Sequence, residues 1–195
     1  MSPAPTTSGG ARVVVISGPS GVGKSTVRDR LMATDRFARS ISCTTRAPRG
    51  QERDGVEYHF LDDAEFERRR DAGEFLEWAR VHTTHYYGTP AAPVLEALKA
   101  GRHVLLDIDV QGAAQLRLKG YPLLTVFLHP PSLEVLRERL EGRRDTTPEQ
   151  IERRLRTAQY ELAQADRYDL QVVNDDLEKV LQAIMGRLDG TPSGA

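Results

Sequence analysis

The sequence predicts an α/β fold whose mainly parallel sheet is flanked by helices. Three observations carry that expectation. Short β-branched runs without polar alternation recur along the chain, as strands buried on both faces require. Segments bearing helix-start and helix-stop signals separate them. The first run opens directly into a glycine-rich turn and a helix. A length of 195 residues suits one main core with small insertions, and 39% hydrophobic against 28% charged residues is the composition of a folded chain.

In chain order, residues 1–10 are rich in Pro, Thr, Ser and Gly and offer no periodic apolar face, so they are expected to form a mobile tail. Arg12-Val13-Val14-Val15-Ile16-Ser17 is the first buried strand, and a helix over 26–32 follows the glycine turn. Residues 40–90 are polar, aromatic and strand-like with one helix, as an inserted lobe would be; Asp62 and Glu65 form a capping box for that helix and Gly73 stops it. A helix over 93–100 closes on Gly101 before the second buried strand, His103-Val104-Leu105-Leu106-Asp107-Ile108-Asp109. Leu123-Leu124-Thr125-Val126-Phe127-Leu128 is the third. Ser132 opens a helix reaching about Leu140, and Thr147-Pro148-Glu149-Gln150, with Pro at the first helical position, opens a long one toward Asp166. A fourth, shorter strand lies at Leu170-Gln171-Val172-Val173; Asp176 precedes the last helix, to about Leu188, and 189–195 reads as a frayed tail. The expected division is a core of 11–39 and 91–188, a lobe of 40–90, and a short Arg-rich segment at 140–148 within the core.

Charge and cysteine content narrow the function. With 27 basic against 28 acidic residues the formal net charge is -1, which removes any broad attraction to nucleic acid or acidic membrane. No apolar run approaches the roughly 18 to 20 residues needed to span a bilayer, and the first ten residues lack the basic start and apolar stretch of a signal peptide. The single cysteine, Cys43, can form no internal disulfide, which fits a reducing compartment. A cytoplasmic protein with small-molecule partners is expected, its oligomeric state open between monomer and homo-oligomer.

Gly18-Pro19-Ser20-Gly21-Val22-Gly23-Lys24-Ser25, followed by Thr26, matches the phosphate-loop pattern G-x-x-x-x-G-K-[ST] and lies where its mechanism needs it, after a buried strand and before a helix. Glycines let backbone N–H groups turn around phosphate oxygens, and the helix N-terminus adds roughly half a positive charge aimed at the same spot. Lys24 would reach the β and γ phosphates, and Ser25 would offer a hydroxyl to magnesium bridging them. Asp107 and Asp109 share one face at the carboxyl end of a strand, where ligands of open α/β sheets collect, and either could hold a magnesium-bound water. Arg46 and Arg49, around a proline, suit a monophosphate, although isolated arginines are more commonly solvated surface. Arg68-Arg69-Arg70 reads as the solvated face of a capped helix, His82 and His85 lack a third metal ligand in sight, and Trp78 reads as a packing anchor.

The stretches Ser42-Cys43-Thr44-Thr45-Arg46-Ala47-Pro48-Arg49-Gly50, Gly55-Val56-Glu57-Tyr58-His59-Phe60, Gly73-Glu74-Phe75-Leu76-Glu77-Trp78-Ala79, Tyr86-Tyr87-Gly88-Thr89, Leu106-Asp107-Ile108-Asp109-Val110-Gln111-Gly112 and Val173-Asn174-Asp175-Asp176, in this order, closely resemble guanylate kinases from about Val13 to Leu188. The resemblance implies a P-loop NTPase core carrying a GMP-binding lobe and a short lid, and transfer of the γ-phosphate of ATP to GMP with magnesium. It implies that Ser42, Arg46, Arg49 and Tyr58 hold the GMP phosphate, that Glu77 and Thr89 read the base, and that Asp107 and Asp109 are the acidic pair of the central strand. Arg139, Arg143 and Arg154 of the Arg-rich segment match lid arginines that reach the phosphates, and Asn174 a residue near the adenine of ATP. The stretch between Glu77 and Tyr86 is one residue longer than the family pattern, which leaves the GMP contact before Gly88 open between Tyr86 and Tyr87. An inactive interaction module related to these kinases is the alternative, but such modules generally lack the complete glycine and lysine set present here. Guanine itself supports the pairing: a carboxylate faces its N1–H and N2–H₂ donors and a hydroxyl its O6 acceptor, whereas adenine would strand both.

Overall fold

The computed structural model describes residues 10–81, 84–108, 110–142 and 147–190. The elements in order are β1 (Val13–Ser17), α1 (Lys24–Met32), β2 (Phe37–Arg39), β3 (Cys43–Thr44), β4 (His59–Phe60), α2 (Asp63–Asp71), β5 (Phe75–Val81), β6 (His85–Pro90), α3 (Ala91–Lys99), β7 (His103–Asp107), α4 (Val110–Leu118), β8 (Leu123–His129), α5 (Leu133–Glu141), α6 (Pro148–Leu162), β9 (Leu170–Val173) and α7 (Leu177–Leu188). Five strands form one sheet in the order β2-β7-β1-β8-β9, and four form a second in the order β4-β3-β6-β5. The β2/β7 and β8/β9 pairs are parallel, while β3/β6 and β5/β6 are antiparallel. The expected α/β class with a mainly parallel sheet is therefore what the chain adopts.

Buried strands follow from their residues: β1 is buried along its whole length and β8 at its five central residues, as β-branched and leucine runs between helices demand. Caps set the helix starts. Asp62 accepts the Glu65 N–H at 2.7 Å, Ser132 the Val135 N–H at 3.2 Å, and Asp176 the N–H groups of Glu178 and Lys179. Thr147 and Gln150 form a reciprocal capping box behind Pro148.

Four expectations are corrected. The helix placed at 93–100 starts at Ala91, because Pro93 falls in a first turn whose N–H groups have no intrahelical partner to lose. The helix expected to run to Asp166 stops at Leu162, where a 3₁₀-type bond from Gln164 N–H to the Glu161 carbonyl tightens the end. The strand expected to reach Asp109 ends at Asp107; the Ile108 carbonyl accepts the Ser17 hydroxyl instead of a ladder partner. The helix expected at 26–32 already begins at Lys24. Two elements, β2 and α4, have no counterpart in the sequence reading.

By chain packing the described residues divide into two compact units, one of 10–13, 36–106 and 114–123 and the other of 14–35, 107–113 and 124–190. The first holds the four-stranded sheet, whose apolar face packs Cys43, Phe66 and Phe75 together with Leu61, Trp78 and Tyr86. The second holds the turn after β1 with α1, and α5 against α6 through Leu136, Leu140, Ile151, Leu155 and Ala158. On α2, Arg68 and Arg69 pair with Glu65 and Arg70 with Asp71, so the triple arginine is an internally compensated surface. Those two arginines, Arg68 ahead of Arg69, pull the Glu65 carboxyl down to about 2.

Candidate active site

In the second unit the glycine turn wraps the end of β1. Gly18, at φ +142°, runs so close to β8 that a Cβ there would sit 2.5 Å from the Leu128 carbonyl oxygen, a contact only glycine avoids. Gly23 is the N-cap of α1 in the left-handed region, at φ +106°, which turns the chain from loop to helix and aims the helix N-terminus back at the loop. Lys24 folds over the turn, its Nζ donating to the carbonyls of Gly18 at 2.6 Å and Pro19 at 3.2 Å. Ser25 and Thr26 follow in the first helical turn with exposed side chains, and Ser20 is exposed on the loop, while Pro19 and Val22 are buried.

The Val22 carbonyl is a junction. Asn174, just after β9, donates to it through Nδ2 at 2.7 Å, and Arg139 through Nη1 at 3.2 Å. A side chain at Gly23 would strike Asn174, so glycine, asparagine and arginine are mutually fitted. Leu140 and Leu136 close beside Gly21. Arg139 thus stands in the last turn of α5 and Arg154 in α6, on the helices that flank the Arg-rich segment and not within the segment to which the sequence assigned them. The reason is local: Leu136 and Leu140, at helical spacing, bury the α5 face and leave Arg139 beside the loop. Among the described residues the Nη1 of Arg154 is buried without a hydrogen-bond partner. Asp107 ends β7, 3.9 Å from Arg28. Its side chain keeps 28% of its surface exposed, yet the dense surround desolvates the carboxylate and raises its pKa, an effect opposed by Lys24 and Arg28. Asp109 and Arg143 lie outside the described residues, as does His82.

In the first unit, strand alternation on β6 sorts the candidates. Tyr86 and Gly88 face the apolar cluster: Tyr86 stacks on Phe66 at 5.1 Å and donates its hydroxyl to Glu67, while a Cβ at Gly88 would meet Phe66 at 3.0 Å and Phe75 at 3.1 Å. Glycine at 88 therefore serves the packing of the two phenylalanine rings. Tyr87 and Thr89 take the other face. There Thr89 is paired in register with Glu77 of β5 and donates its hydroxyl to Glu77 Oε1 at 2.5 Å, both side chains being buried. Donation by Thr89 to a base O6 requires its proton to leave that carboxylate.

Arg46, expected to hold a monophosphate, is only 7% exposed. A buried guanidinium needs a counter-charge, and Glu52 supplies it, accepting from Nη1 at 2.9 Å and Nη2 at 3.0 Å. Arg46 Nε donates to the Tyr87 hydroxyl at 3.2 Å, and the guanidinium lies over the Tyr58 ring at 5.4 Å. Tyr58 in turn meets Tyr87 edge to face at 5.9 Å. Arg49 is exposed, and the Ser42 carbonyl accepts the His59 N–H at 2.9 Å as β3 meets β4. The two arginines thus differ in setting: one is locked, the other open. Glu52 was missed in the sequence, where the signal was an acid three residues after the second of two clustered arginines.

The model of the guanylate kinase family matches residues 10–189. The chain belongs to the guanylate kinase family. A guanylate kinase of Gloeobacter violaceus is 50% identical over 175 residues, which is 89% of this chain and 85% of that protein. One from Thermobifida fusca is 49% identical, over 89% of each chain. The crystal structure of guanylate kinase from Anaplasma phagocytophilum superposes with a TM-score of 0.76 at 30% identity, covering 97% of this chain and 90% of that one. As in P-loop NTPases, the family's parallel sheet carries its phosphate loop between a buried strand and a helix N-terminus, the arrangement described above for β1 and α1.

Proposed function

We propose that the chain transfers the γ-phosphate of ATP to GMP, giving ADP and GDP, and accepts dGMP as well. The observation that carries this reading is the buried Glu77–Thr89 pair in a chain that also keeps the complete phosphate loop. A carboxylate and a hydroxyl 2.5 Å apart match the donor and acceptor edge of guanine, and burial makes a mismatched base costly at ~1 to 3 kcal/mol per stranded group. The complete loop set with Lys24 favours an active enzyme over an inactive interaction module.

The working division of labour is a core of 11–39 and 91–188, a GMP-binding lobe of 40–90 and a lid of 140–148. In the lobe, Arg46, Arg49, Tyr58 and Ser42 hold the GMP phosphate, and strand alternation supports Tyr87 over Tyr86 as a member of the same group. Glu77 and Thr89 read the base, with Asp107 and Asp109 contributing on the acceptor side. In the core, residues 18–26 bind the ATP phosphates and Asn174 lies near the adenine. In transfer, the bond from the γ-phosphorus to the bridging oxygen breaks and a new one forms to an oxygen of the GMP phosphate. Negative charge spreads over the moving group, and Lys24, Arg139, Arg143 and Arg154 stabilise it electrostatically. With three N–H donors, Lys24 can turn from the Gly18 and Pro19 carbonyls toward the phosphates, an exchange of neutral acceptors for anionic ones. Oxygen donors suit magnesium, and Ser25 and, through a water, Asp107 are the residues that would hold it; bound with ATP, it neutralises charge on the β- and γ-phosphates. The partners are small nucleotides, without nucleic acid or membrane, in the cytoplasm. Among the described residues no helix is long and apolar enough to cross a membrane.

A coupled assay of ADP release with GMP, dGMP, AMP, UMP and CMP tests the reading. Turnover with GMP and dGMP and none with the others is expected; AMP used as well as GMP would overturn it.

A further inference from the structure

Glu52 has no part in the catalytic scheme above, yet it governs how Arg46 is presented. Its carboxylate occupies the end-on edge of the guanidinium, Oε2 accepting from Nη1 and Oε1 from Nη2. The same Oε2 accepts the backbone N–H of Arg49 at 2.8 Å, within a turn closed by the Glu52 N–H on the Arg49 carbonyl at 3.0 Å. The second Nη1 hydrogen goes to the Ala47 carbonyl at 2.7 Å and the Nε hydrogen to Tyr87. Four of the five guanidinium N–H groups are thereby engaged, and the remaining one is the Nη2 hydrogen on the Nε side. What is left for an incoming anion is that Nη2 hydrogen on the side-on edge, together with the Tyr87 hydroxyl, which accepts from Nε and keeps its own proton to donate.

We infer that Glu52 is a positioning residue for the acceptor phosphate: by clamping Arg46 end-on it presents the side-on edge and the Tyr87 hydroxyl together, and through Arg49 N–H it fixes the turn that carries the second arginine. This rests on the reading of Arg46 as a ligand of the GMP phosphate. The opposite role is a competitor, a carboxylate that occupies Arg46 until the phosphate evicts it. Sign separates the two. A competitor also repels the phosphate dianion, so neutralising it tightens GMP, whereas neutralising a clamp leaves Arg46 free to turn and weakens GMP. Arg46 first and the Arg49 backbone second hold the Glu52 carboxyl below its ordinary range, so it is ionised at neutral pH.

The test is calorimetry with GMP and with guanosine, which shares the base but lacks the phosphate, on the parent chain, Glu52→Gln, Glu52→Asp and Arg46→Ala. Glu52→Gln is expected to raise the Kd for GMP by at least about ten-fold while moving that for guanosine by less than about two-fold, the scale of one charge-assisted hydrogen bond confined to the phosphate. Glu52→Asp, which keeps the charge on a shorter arm, falls between. In turnover, KM for GMP rises while kcat and KM for ATP hold. GMP binding that is unchanged or tighter in Glu52→Gln, with Arg46→Ala still weakened, overturns the clamp and leaves the phosphate reading of Arg46 standing. Unchanged GMP binding in Arg46→Ala overturns that reading itself. Parallel losses of GMP and guanosine in both Glu52 variants overturn the positioning role in favour of a purely structural one.

Discussion

Glu77→Gln keeps side-chain size and removes one charge from a residue that is 4% exposed, so water cannot replace what the base loses. The proposed carboxylate accepts N1–H and N2–H₂ with both of its oxygens. An amide has only one oxygen, so whichever way it turns its N–H₂ takes the place of one acceptor. A donor then faces a donor of guanine. Losing one charge-assisted hydrogen bond costs ~1.5 to 3 kcal/mol, and the opposed dipoles add to it, so ~3 kcal/mol and a fall of about 10²-fold in kcat/KM for GMP are expected. Discrimination against AMP should shrink by a similar factor, because adenine presents a lone pair where guanine presents N1–H. Affinity for ATP should hold. The assay is steady-state kinetics with GMP and AMP as acceptors, with calorimetry for ATP. A variant that phosphorylates GMP as well as the parent and still rejects AMP refutes the base-reading assignment.

Lys24→Ala should lower kcat by about 10²-fold or more, since it removes a cation from the phosphates, while circular dichroism stays native because the lysine touches only loop carbonyls. Near-normal turnover would remove Lys24 from the chemistry. Arg49→Ala should weaken GMP binding by about ten-fold with little change in melting temperature, because Arg49 is exposed; calorimetry and thermal melts read the two separately. Burial pushes the Cys43 thiol up to about 11 from an ordinary 9.0. The unfolded chain therefore gives up its proton first, and stability should fall between pH 9 and pH 11 by at most about 3 kcal/mol. Thermal melts across that range should show the loss in the parent and not in Cys43→Ala.

The parts legible in the sequence are those whose physics is local. The phosphate loop is contiguous, and each of its glycines answers to a turn or a close approach within one strand–turn–helix unit. Asp62, Ser132, Thr147 and Asp176 cap helices a few residues away, so their signals survive without tertiary information. What escaped depends on distant partners. β2 is three residues long and is recognisable as a strand only by its parallel pairing with β7. α4 lacks a strong apolar stripe, carrying Gln111, Gly112 and Gln115, and follows a strand whose acidic end drew the reading. The Val22 carbonyl gathers Asn174 and Arg139 from 152 and 117 residues away, a junction no spacing rule reveals. The burial of Arg46 escaped because the tyrosines and the glutamate that surround it lie in neighbouring strands and turns.

Phosphorus NMR on a mixture of the chain, magnesium, ATP and one acceptor follows the transferred group itself and so tests the central claim most directly. With GMP, the γ resonance of ATP should decline as the paired α and β resonances of GDP grow in step with those of ADP. With AMP in its place the ATP spectrum should stand unchanged over the same interval. Inorganic phosphate appearing instead of GDP, or phosphorylation of AMP at a comparable rate, would contradict the account.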